Sequence, residues 1–327
     1  MAAVVCLGEA LLDRLGPPGG DPAAAGVPTQ DCLGGAPANA ACGLARLGTA
    51  SAYLGRLGRD GIGARFAELF KARGVDQRGL QWDPQRPSRI VLVQRDAAGE
   101  RRFGGFAGDL GQGFADQALD AGQLSAALGP LLAQARWLLL GTIPLATPAA
   151  AQAAWLAVRQ AAAAGVAVAV DVNWRPTFWN PQADPAAGPT QAQRQRILPL
   201  LRQARLLKCA AEEAQWLFGG TDPAAISATL PLAPLVVVSD GAAPLRWGSA
   251  AVATMAMPAF SVPVLDTTGA GDAFTAGLLH GLCQGSTDLE RSMRFASACG
   301  ALVCQGAGAI EPQPTAAQVA GWLAARG

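Results

Sequence analysis

The stretch DTTGAGDAF, residues 266–274, determines how this chain is interpreted, because it combines a glycine-rich turn with an acidic residue. The apolar run at residues 260–265 precedes it, and an apolar helical pattern follows to about Leu282. We therefore predict a strand that enters the turn and a helix that leaves it. The amides that this turn would leave unpaired are those of Gly269, Ala270, Gly271 and Asp272. Together with the helix dipole they would attract an anion, such as a phosphoryl group in transfer.

The carboxylate of Asp272 stands at the start of the predicted helix, directly after the glycines. There it can accept the proton of a substrate hydroxyl that attacks a γ-phosphate. The alternative is that Asp272 only caps the helix, since aspartate is favoured at helix N-termini. We predict the catalytic role, because the aspartate comes with the complete glycine-rich string.

The composition limits the classes of protein to which this chain can belong. With 327 residues and 51% hydrophobic content, it can bury a large core, as one large α/β domain or two smaller ones. A formal net charge of +1 and the lack of a basic run argue against a nucleic-acid partner. The apolar runs are interrupted before about 18 residues, which argues against a membrane partner.

The seven cysteines and the single histidine give little sign of a metal or redox site. The number of cysteines is odd and no CxxC pair occurs, as expected for buried thiols in a reducing, cytoplasmic setting. A zinc site is disfavoured because His280 is the only histidine. The N-terminal segment lacks a basic region and carries Glu9 and Asp13, so we predict a first strand rather than a signal peptide.

Apolar runs typical of buried strands alternate along the chain with Ala- and Leu-rich segments of helical length. The candidate strands are residues 4–8, 137–141, 166–172, 206–208 and 235–239. The clearest candidate helices are residues 147–164 and 190–202. This alternation predicts a mostly parallel central sheet with helices on both faces, and ligands beyond the carboxyl ends of its strands.

One region interrupts this alternation. Residues 89–95 (RIVLVQR) have β character, residues 97–100 supply a turn, and residues 101–106 can return as a second strand. Because such a hairpin fits poorly in a doubly wound core, we predict a small lid or edge sheet that includes part of residues 11–33. The Pro- and Gly-rich stretch at residues 176–189 is predicted to be a surface loop.

A second glycine-rich stretch, LGGAPANAA at residues 33–41, opens a predicted helix of small residues that ends near Gly48. Taken alone, it is equally compatible with a simple helix-entry turn. Together the two stretches resemble the signatures of the ribokinase-like (PfkB) carbohydrate kinases, an α/β family with a three-layer α/β/α fold and a small β-sheet lid. The resemblance extends over nearly the whole chain. It implies a single kinase domain over residues 1–327, with the lid near residues 11–33 and 88–107.

The resemblance also implies roles for individual residues. Asp272 would be the base, and the anion hole would be formed by Gly269, Ala270 and Gly271. The residues that would hold the sugar are Asp13, Gly34, Gly35, Asn39 and Arg175. The two glycines would let the sugar approach the backbone, Asn39 would donate to a hydroxyl, and Asp13 would accept from others. Asp13 as a solvated turn residue and Arg175 as part of a structural ion pair are the alternatives.

By the same resemblance, the chain would use ATP, Mg²⁺ and K⁺. The segment KCAAEE, residues 208–213, is similar to the family's Asn-x-x-Glu segment, with Glu212 as the glutamate that orders Mg²⁺ through water. Cys209 then occupies the asparagine position, and a neutral thiol is a poor substitute for an oxygen ligand. Asp266 and Thr268 resemble part of the family's monovalent-cation loop.

The nucleotide site implied by the resemblance lies in two segments. Residues 237–244 (VVSDGAAP) resemble the family's nucleotide loop, in which Ser239 and Gly241 match. Pro244 stands where a second glycine is usual, and proline has no N–H to donate. Residues 306–314 resemble the closing loop beside the cation and adenine.

The choice of sugar rests on two further segments. Residues 99–103 and 170–179 look most like the fructokinase branch, so we predict phosphorylation of a primary hydroxyl of fructose. 2-Keto-3-deoxygluconate kinase is the alternative, because its branch also carries the arginine found here at Arg175. The lid of that branch typically has aromatic and basic residues for the carboxylate, whereas residues 103–106 are Phe-Gly-Gly-Phe.

Other classes of function are weighed against this prediction. A catalytically weakened sugar-binding or regulatory protein is suggested by Cys209 and Pro244, and opposed by the intact GAGD string with Asn39 and Asp13. A P-loop enzyme would need GxxxxGK[ST], and a dinucleotide enzyme would need GxGxxG after the first strand. Members of the family often dimerise through the lid sheet, so the resemblance also implies a homodimer.

Overall fold

The computed structural model describes residues 2–24, 26–95 and 101–326. The predicted turn at residues 97–100, and with it Gly99 and Glu100, lies outside the described residues. The strands are β1 (Val4–Leu7), β2 (Leu11–Pro18), β3 (Gln30–Gly34), β4 (Ser51–Gly58), β5 (Asp76–Asp83), β6 (Arg89–Arg95), β7 (Arg101–Ala107), β8 (Trp137–Leu140), β9 (Ala167–Asp171), β10 (Leu206–Ala210), β11 (Leu235–Ser239), β12 (Leu245–Ser249) and β13 (Val252–Met257).

Helices connect most of these strands. The α-helices are α1 (Ala36–Arg46), α2 (Gly61–Arg73), α3 (Ala121–Leu132), α4 (Pro148–Ala163), α5 (Pro176–Trp179), α6 (Gln191–Leu201), α7 (Ala211–Phe218), α8 (Pro223–Ala228), α9 (Ala270–Cys283), α10 (Leu289–Val303) and α11 (Ala316–Ala324). Two short 3₁₀ helices span Ala115–Ala118 and Ile143–Ala146. Within the described part of the chain, no helix is long and apolar enough to cross a membrane.

Among the described residues, nine strands form the central sheet in the order β13-β12-β11-β10-β9-β8-β1-β4-β5. The strands from β11 to β5 are parallel, and β12 and β13 add an antiparallel edge. Side chains of β1 alternate between the two faces, so Val5 and Leu7 join one apolar cluster and Val4 and Cys6 join the other. Such burial on both faces explains why β1 is a continuous apolar run.

Helices cover both faces of this sheet, which confirms the predicted α/β/α architecture. One apolar cluster packs α3, α4, α6, α7 and α8 against the strands, and the other packs α1, α2, α9, α10 and α11. The predicted strands at residues 4–8, 137–141, 166–172, 206–208 and 235–239 correspond to β1, β8, β9, β10 and β11.

A second sheet stands beside the carboxyl ends of the central strands. Its order is β3-β2-β6-β7. The β6 and β7 pair is antiparallel, as predicted for a hairpin, and β2 joins β6 in parallel with Asp13 opposite Val91. The sheet is thus built from the two segments that the sequence analysis assigned to it. We refer to this sheet as the small sheet.

The prediction of a strand at residues 260–265 is wrong. After β13 the chain runs on without sheet pairing, and Val264 and Leu265 are 61% and 70% exposed. The apolar run therefore does not mark a buried strand. The amides of Leu265 and Asp266 donate to the carbonyl of Cys304 instead, so this segment is held by the end of α10. The loop predicted at residues 176–189 also contains the single turn of α5.

Candidate active site

A cleft of about 560 Å³ lies between the carboxyl ends of the central strands and the small sheet. Its floor is formed where β1, β9, β10 and β11 end, as expected for ligand sites of parallel sheets. Of the predicted site residues, the cleft is lined by Asp13, Gly35, Asn39, Arg175, Ser239, Thr268, Gly269, Gly271 and Asp272. Ala270, Gly34, Glu212, Gly241 and Asp266 do not line it.

The turn that opens α9 has the geometry expected of an anion site. Gly269 is the N-cap residue and has a φ of 76°, in the left-handed region that favours glycine. A Cβ on Gly269 would also lie 2.5 Å from Ala309, so the C-terminal loop packs directly on the turn. The Ala270 amide donates to Thr267 O, which leaves the amides of Gly269, Gly271 and Asp272 without an acceptor among the described residues. The anion hole we propose therefore has one amide fewer than the sequence predicts.

Asp272 lies in the first turn of α9 and is held by Asn39 of α1. The Nδ2 group of Asn39 donates to Asp272 Oδ2 over 2.7 Å. Gln313 in turn donates from Nε2 to the backbone carbonyl of Asn39 over 2.8 Å, so the C-terminal loop holds the start of α1. The Oδ1 atom of Asn39 is buried and has no partner among the described residues. Asn39 lines the cleft, and its Nδ2 group keeps a second N–H beyond the one given to Asp272.

The environment of Asp272 suits a carboxylate that exchanges protons. Burial raises the pKa of Asp272 to about 6, and the hydrogen bond from Asn39 partly opposes this shift. Asp171 raises the same pKa, while Lys208 and Arg175 lower it. A carboxylate with this pKa is ionised near neutral pH and still basic enough to take a proton.

The paired glycines have separate roles in shaping the cleft. A Cβ on Gly35, whose φ is 103°, would lie 2.6 Å from the carbonyl oxygen of Glu9. A Cβ on Gly34 would lie 2.6 Å from Asp13 Oδ2. Gly35 therefore allows the turn to pass close to the end of β1, and Gly34 leaves room for the carboxylate of Asp13.

Glu9 is a cleft residue that the sequence analysis did not assign. It is 4% exposed, and its Oε1 accepts from the Ala36 amide over 3.0 Å at the start of α1. Burial raises the pKa of Glu9 to about 8, although the Ala36 hydrogen bond opposes the shift. Glu9 therefore holds the Gly-Gly turn while remaining largely protonated at neutral pH.

We expect Glu9→Gln to make the protein less sensitive to alkaline pH. The folded state of the wild type keeps the Glu9 proton to about pH 8, whereas the unfolded chain loses it near 4.5. The stability that Glu9 contributes is therefore fully present below the unfolded pKa and is lost as pH rises through the folded pKa. Thermal unfolding at about pH 5.5 and 8.5 tests this. Between these two pH values, the Tm of the wild type should fall more than the Tm of Glu9→Gln. Glu68→Gln, at an exposed position, is the control and should behave like the wild type. An equal fall in Tm for the wild type and Glu9→Gln would contradict the prediction.

Lys208 and Asp171 form a buried ion pair at the base of the cleft. Lys208 Nζ lies 2.8 Å from Asp171 Oδ2, and both side chains are about nine-tenths buried. Thr275 of α9 donates to the same carboxylate oxygen over 2.9 Å. Burial alone would lower the pKa of Lys208, but Asp171, aided by Asp272 and Glu213, raises it. The pair therefore joins β9, β10 and α9 around a fixed positive charge.

Glu213, rather than Glu212, faces the cleft. Glu212 is exposed, while Glu213 is buried and accepts from the amides of Trp174 and Ala210 over 2.6 and 2.8 Å. Burial and the neighbouring Asp171 raise the pKa of Glu213. Cys209 points into the core, where its Sγ lies 3.9 Å from Val237 O. The thiol therefore does not face the cleft and does not occupy a ligand position there.

Of the predicted cation and nucleotide residues, Thr268 and Ser239 line the cleft, whereas Asp266 and Gly241 do not. Asp266 accepts from Thr268 N over 2.9 Å and from Gly308 N over 2.7 Å, so its carboxylate ties the turn to the C-terminal loop. Ser239 ends β11 at the cleft edge. Gly241, with a φ of 53°, lies in the turn that leads to β12, outside the cleft lining.

A buried cation connects the small sheet to the cleft. The Arg89 guanidinium makes two hydrogen bonds of 2.9 and 3.0 Å to Asp116, and the two side chains are 3% and 5% exposed. It lies 4.4–4.7 Å from the ring centroids of Phe106, Phe114 and Phe178. Phe178 in turn lines the cleft. We call these five side chains the Arg89 cage.

Several cleft residues had no predicted role, among them Glu9, Asp171, Lys208, Glu213 and Phe178. A usable signal existed for Lys208, because a lysine inside an apolar strand must find a buried partner. Asp171 lies in the segment at residues 170–179 on which the choice of sugar was based, but it was given no role of its own. For Glu213 the sequence offered two adjacent glutamates, and only the direction of the first turn of α7 distinguishes them.

The comparisons with known proteins identify the family of this chain. The sequence profile described as pfkB family carbohydrate kinase matches residues 1–316. The chain belongs to this family and is therefore a carbohydrate kinase, as the resemblance implied.

Within this family, the chain is similar to several fructokinases. The chain is 32% identical to fructokinase-2 from Zea mays, covering 96% of this chain and 92% of that protein. It is 31% identical to fructokinase-1 from Oryza sativa subsp. japonica, covering 97% and 96%. Among solved structures, a fructokinase with bound ATP from Xylella fastidiosa has a TM-score of 0.82, 27% identity and coverage of 100% and 99%. A fructokinase from Vibrio cholerae O395, bound to fructose, ADP and calcium, has a TM-score of 0.79 and 26% identity, and the match covers 99% of each chain.

Proposed function

We propose that this protein transfers the γ-phosphate of ATP to a primary hydroxyl of fructose, with Asp272 as the general base. The observation that carries the proposal is the arrangement of Asp272 beside amides without acceptors at the start of α9, inside the cleft. A base and an anion site within one helical turn are what in-line phosphoryl transfer requires.

The proposed reaction moves one proton and one phosphoryl group. The attacking sugar hydroxyl gives its proton to the Asp272 carboxylate, the new O–P bond forms, and the bond from the γ-phosphorus to ADP breaks. The amides of Gly269, Gly271 and Asp272 stabilise the charge on the phosphoryl oxygens. Asn39 keeps the carboxylate in place through the hydrogen bond to Oδ2.

Sugar binding is assigned to the side of the cleft nearest the small sheet. Asp13 would accept from sugar hydroxyls, the second N–H of Asn39 Nδ2 would donate to another, and Arg175 would donate as well. We propose that the small sheet acts as a lid that excludes water during transfer. Support comes from Asp13 and Phe103, which lie on β2 and β7 and line the same cleft as Asp272.

The fit to metal ions differs between the two predicted sites. No cluster of three acidic, histidine or cysteine side chains within the described residues forms a ready-made metal cage. This suits Mg²⁺, which keeps several waters and is commonly held by nucleotide phosphates and one or two carboxylates. Glu213, in place of Glu212, is the carboxylate we propose for that role; the ion would neutralise phosphate charge. K⁺ beside Asp266 and Thr268 remains a proposal.

Fructose is favoured over the acidic sugar by the relatives and by the lid residues. The curated relatives described above are fructokinases, and the Vibrio cholerae structure is described with fructose bound. Phe103 and Phe178 present apolar rings to the cleft. A coupled ADP-release assay with MgATP, in K⁺ or Na⁺, tests fructose against 2-keto-3-deoxygluconate, ribose, tagatose and adenosine. Turnover with fructose alone supports the proposal; turnover only with another substrate would overturn the choice of sugar.

We expect the rate to fall in acid because Asp272 must be ionised to act as the base. With a pKa of about 6, kcat/KM for fructose should decrease about tenfold per pH unit below that value and level off above it. A pH profile from about 5 to 9 with saturating ATP measures this limb. A rate that stays constant below the expected limb, with the fold intact by circular dichroism, would contradict the prediction.

Two further expectations complete the proposal. The cysteines of the described chain are all free, which agrees with a reducing compartment, and we propose the cytoplasm. We also propose a homodimer formed through the small sheet. Sedimentation equilibrium of the purified protein tests the dimer, and a monomer at micromolar concentration would contradict it.

A further inference from the structure

Lys208 is placed so that it can contact a ligand in the cleft in addition to stabilising the fold. The chain contains two lysines, and the other, Lys71, is exposed on α2. Lys208 is 8% exposed and lines the cleft. Its Nζ accounts for one hydrogen bond, to Asp171 over 2.8 Å. An ammonium has three N–H donors, so two remain for a ligand in the cleft.

The ammonium lies against the turn that begins α9. A Cβ placed on Gly271 would be 3.1 Å from Lys208 Nζ. Glycine at position 271 therefore leaves the space between the ammonium and the turn open. The amides of Gly269, Gly271 and Asp272, which have no acceptor in the described chain, belong to the same turn. An oxyanion held by these amides would lie within reach of the Lys208 charge.

The residues around Lys208 hold its ammonium group in one position. Asp171 holds Nζ from one side, and Thr275 of α9 holds the same Asp171 oxygen over 2.9 Å. A flexible lysine is thereby oriented by two elements, β9 and α9, before any ligand arrives. Preorganised charge of this kind stabilises a transition state without reorganisation during the reaction.

We propose that Lys208 is a further catalytic residue, whose ammonium contacts a non-bridging oxygen of the phosphoryl group during transfer, and that Asp171 positions it. The inference rests on the proposed kinase function. The lysine keeps its proton throughout: the hydroxyl proton goes to Asp272, the O–P bond forms, and ADP leaves as its bond to the phosphorus breaks. Lys208 supplies charge only.

Substitution of Lys208 by methionine tests this, with Lys71→Met as the matched control. We expect Lys208→Met to lower kcat about 10²–10³-fold, as does the loss of one preorganised donor, while the Kd for fructose changes by less than about threefold. Binding of ADP with aluminium fluoride, which imitates the phosphoryl group in transfer, should weaken far more than binding of ADP alone. A kcat close to that of Lys71→Met would overturn the proposal, as would equal losses for fructose, ADP and the fluoride complex.

A second measurement uses the wild-type protein and does not depend on a variant that folds. With ¹⁵N-labelled lysine, the chain gives two Nζ signals, and Lys71→Met assigns them. The Lys208 signal should shift when fructose, ADP and aluminium fluoride are added together, and should not shift with ADP alone. An unchanged signal would overturn the proposal. If the wild type phosphorylates no sugar, the proposed function fails; if it does so and Lys208 responds in neither test, only this inference fails.

Discussion

Asp272→Asn is expected to lower kcat by at least about 10²-fold, the lower end of the contribution of one general base. The substitution keeps the shape of the side chain and its place in the first turn of α9, but an amide cannot take the hydroxyl proton. The hydrogen bond between Asn39 and the remaining oxygen at position 272 can persist. Sugar affinity should therefore change by less than about threefold. Steady-state kinetics and calorimetry with fructose measure the two quantities.

Glu290→Gln is the matched control for this experiment. Glu290 is also an acidic residue in the first turn of a helix, α10, but it is exposed and lies outside the cleft. It should keep full turnover, although both substitutions remove a negative charge that favours a helix N-terminus. Turnover of Asp272→Asn close to that of the control would remove Asp272 from the mechanism.

Asp116→Ala is expected to lower the free energy of unfolding by about 3–5 kcal/mol, because it leaves the Arg89 charge buried without its partner. The guanidinium would keep its contacts with the three phenylalanine rings of the Arg89 cage. These contacts are too weak to replace a bidentate carboxylate in a buried site. Chemical denaturation by urea, followed by circular dichroism, measures the loss.

The control is an ion pair of the same type on the surface. Arg78 and Asp76 pair with side chains that are 53% and 23% exposed, and Asp76→Ala should cost at most about 1 kcal/mol. The double substitution Arg89→Met with Asp116→Leu should recover much of the lost stability, since a buried pair can be replaced by apolar groups. If Asp116→Ala costs no more than Asp76→Ala, the cage contributes little to folding.

The structure bears on the alternative of a weakened, sugar-binding protein. One argument for it was Cys209 at a ligand position, but this thiol faces the core near Val237, and Glu213 is the glutamate at the cleft. Pro244 remains as a departure, and it precedes β12, outside the cleft lining. The family match is to carbohydrate kinases. The kinase assays above therefore test the more strongly supported function.

Several elements could be predicted because their causes are local in the sequence. Strands such as β1 and β11 are continuous apolar runs, since helices cover both of their faces. The turn before α9 needs glycine at position 269, where φ is 76°, and the following carboxylate marks the helix start. The hairpin of β6 and β7 followed from β-type residues that do not fit the helical alternation.

Other features depended on contacts between distant segments. Asn39 and Asp272 are separated by 233 positions, and Lys208 and Asp171 by 37, so no local pattern pairs them. The run at residues 260–265 is as apolar as a strand, yet it finds no sheet partner because β13 ends the sheet before it.

The sequence by itself determined the α/β class, the glycine turns and the position of the aspartate that we propose as the base, because backbone conformation and hydrophobic burial are encoded in short stretches. Only the tertiary structure decided which charged side chains lie together in the cleft and how far their pKa values are shifted. A pKa near 6 for Asp272 and near 8 for Glu9 arises from burial and from neighbours on other elements. Desolvation and Coulomb interaction act through space, so they exist only once the chain has folded.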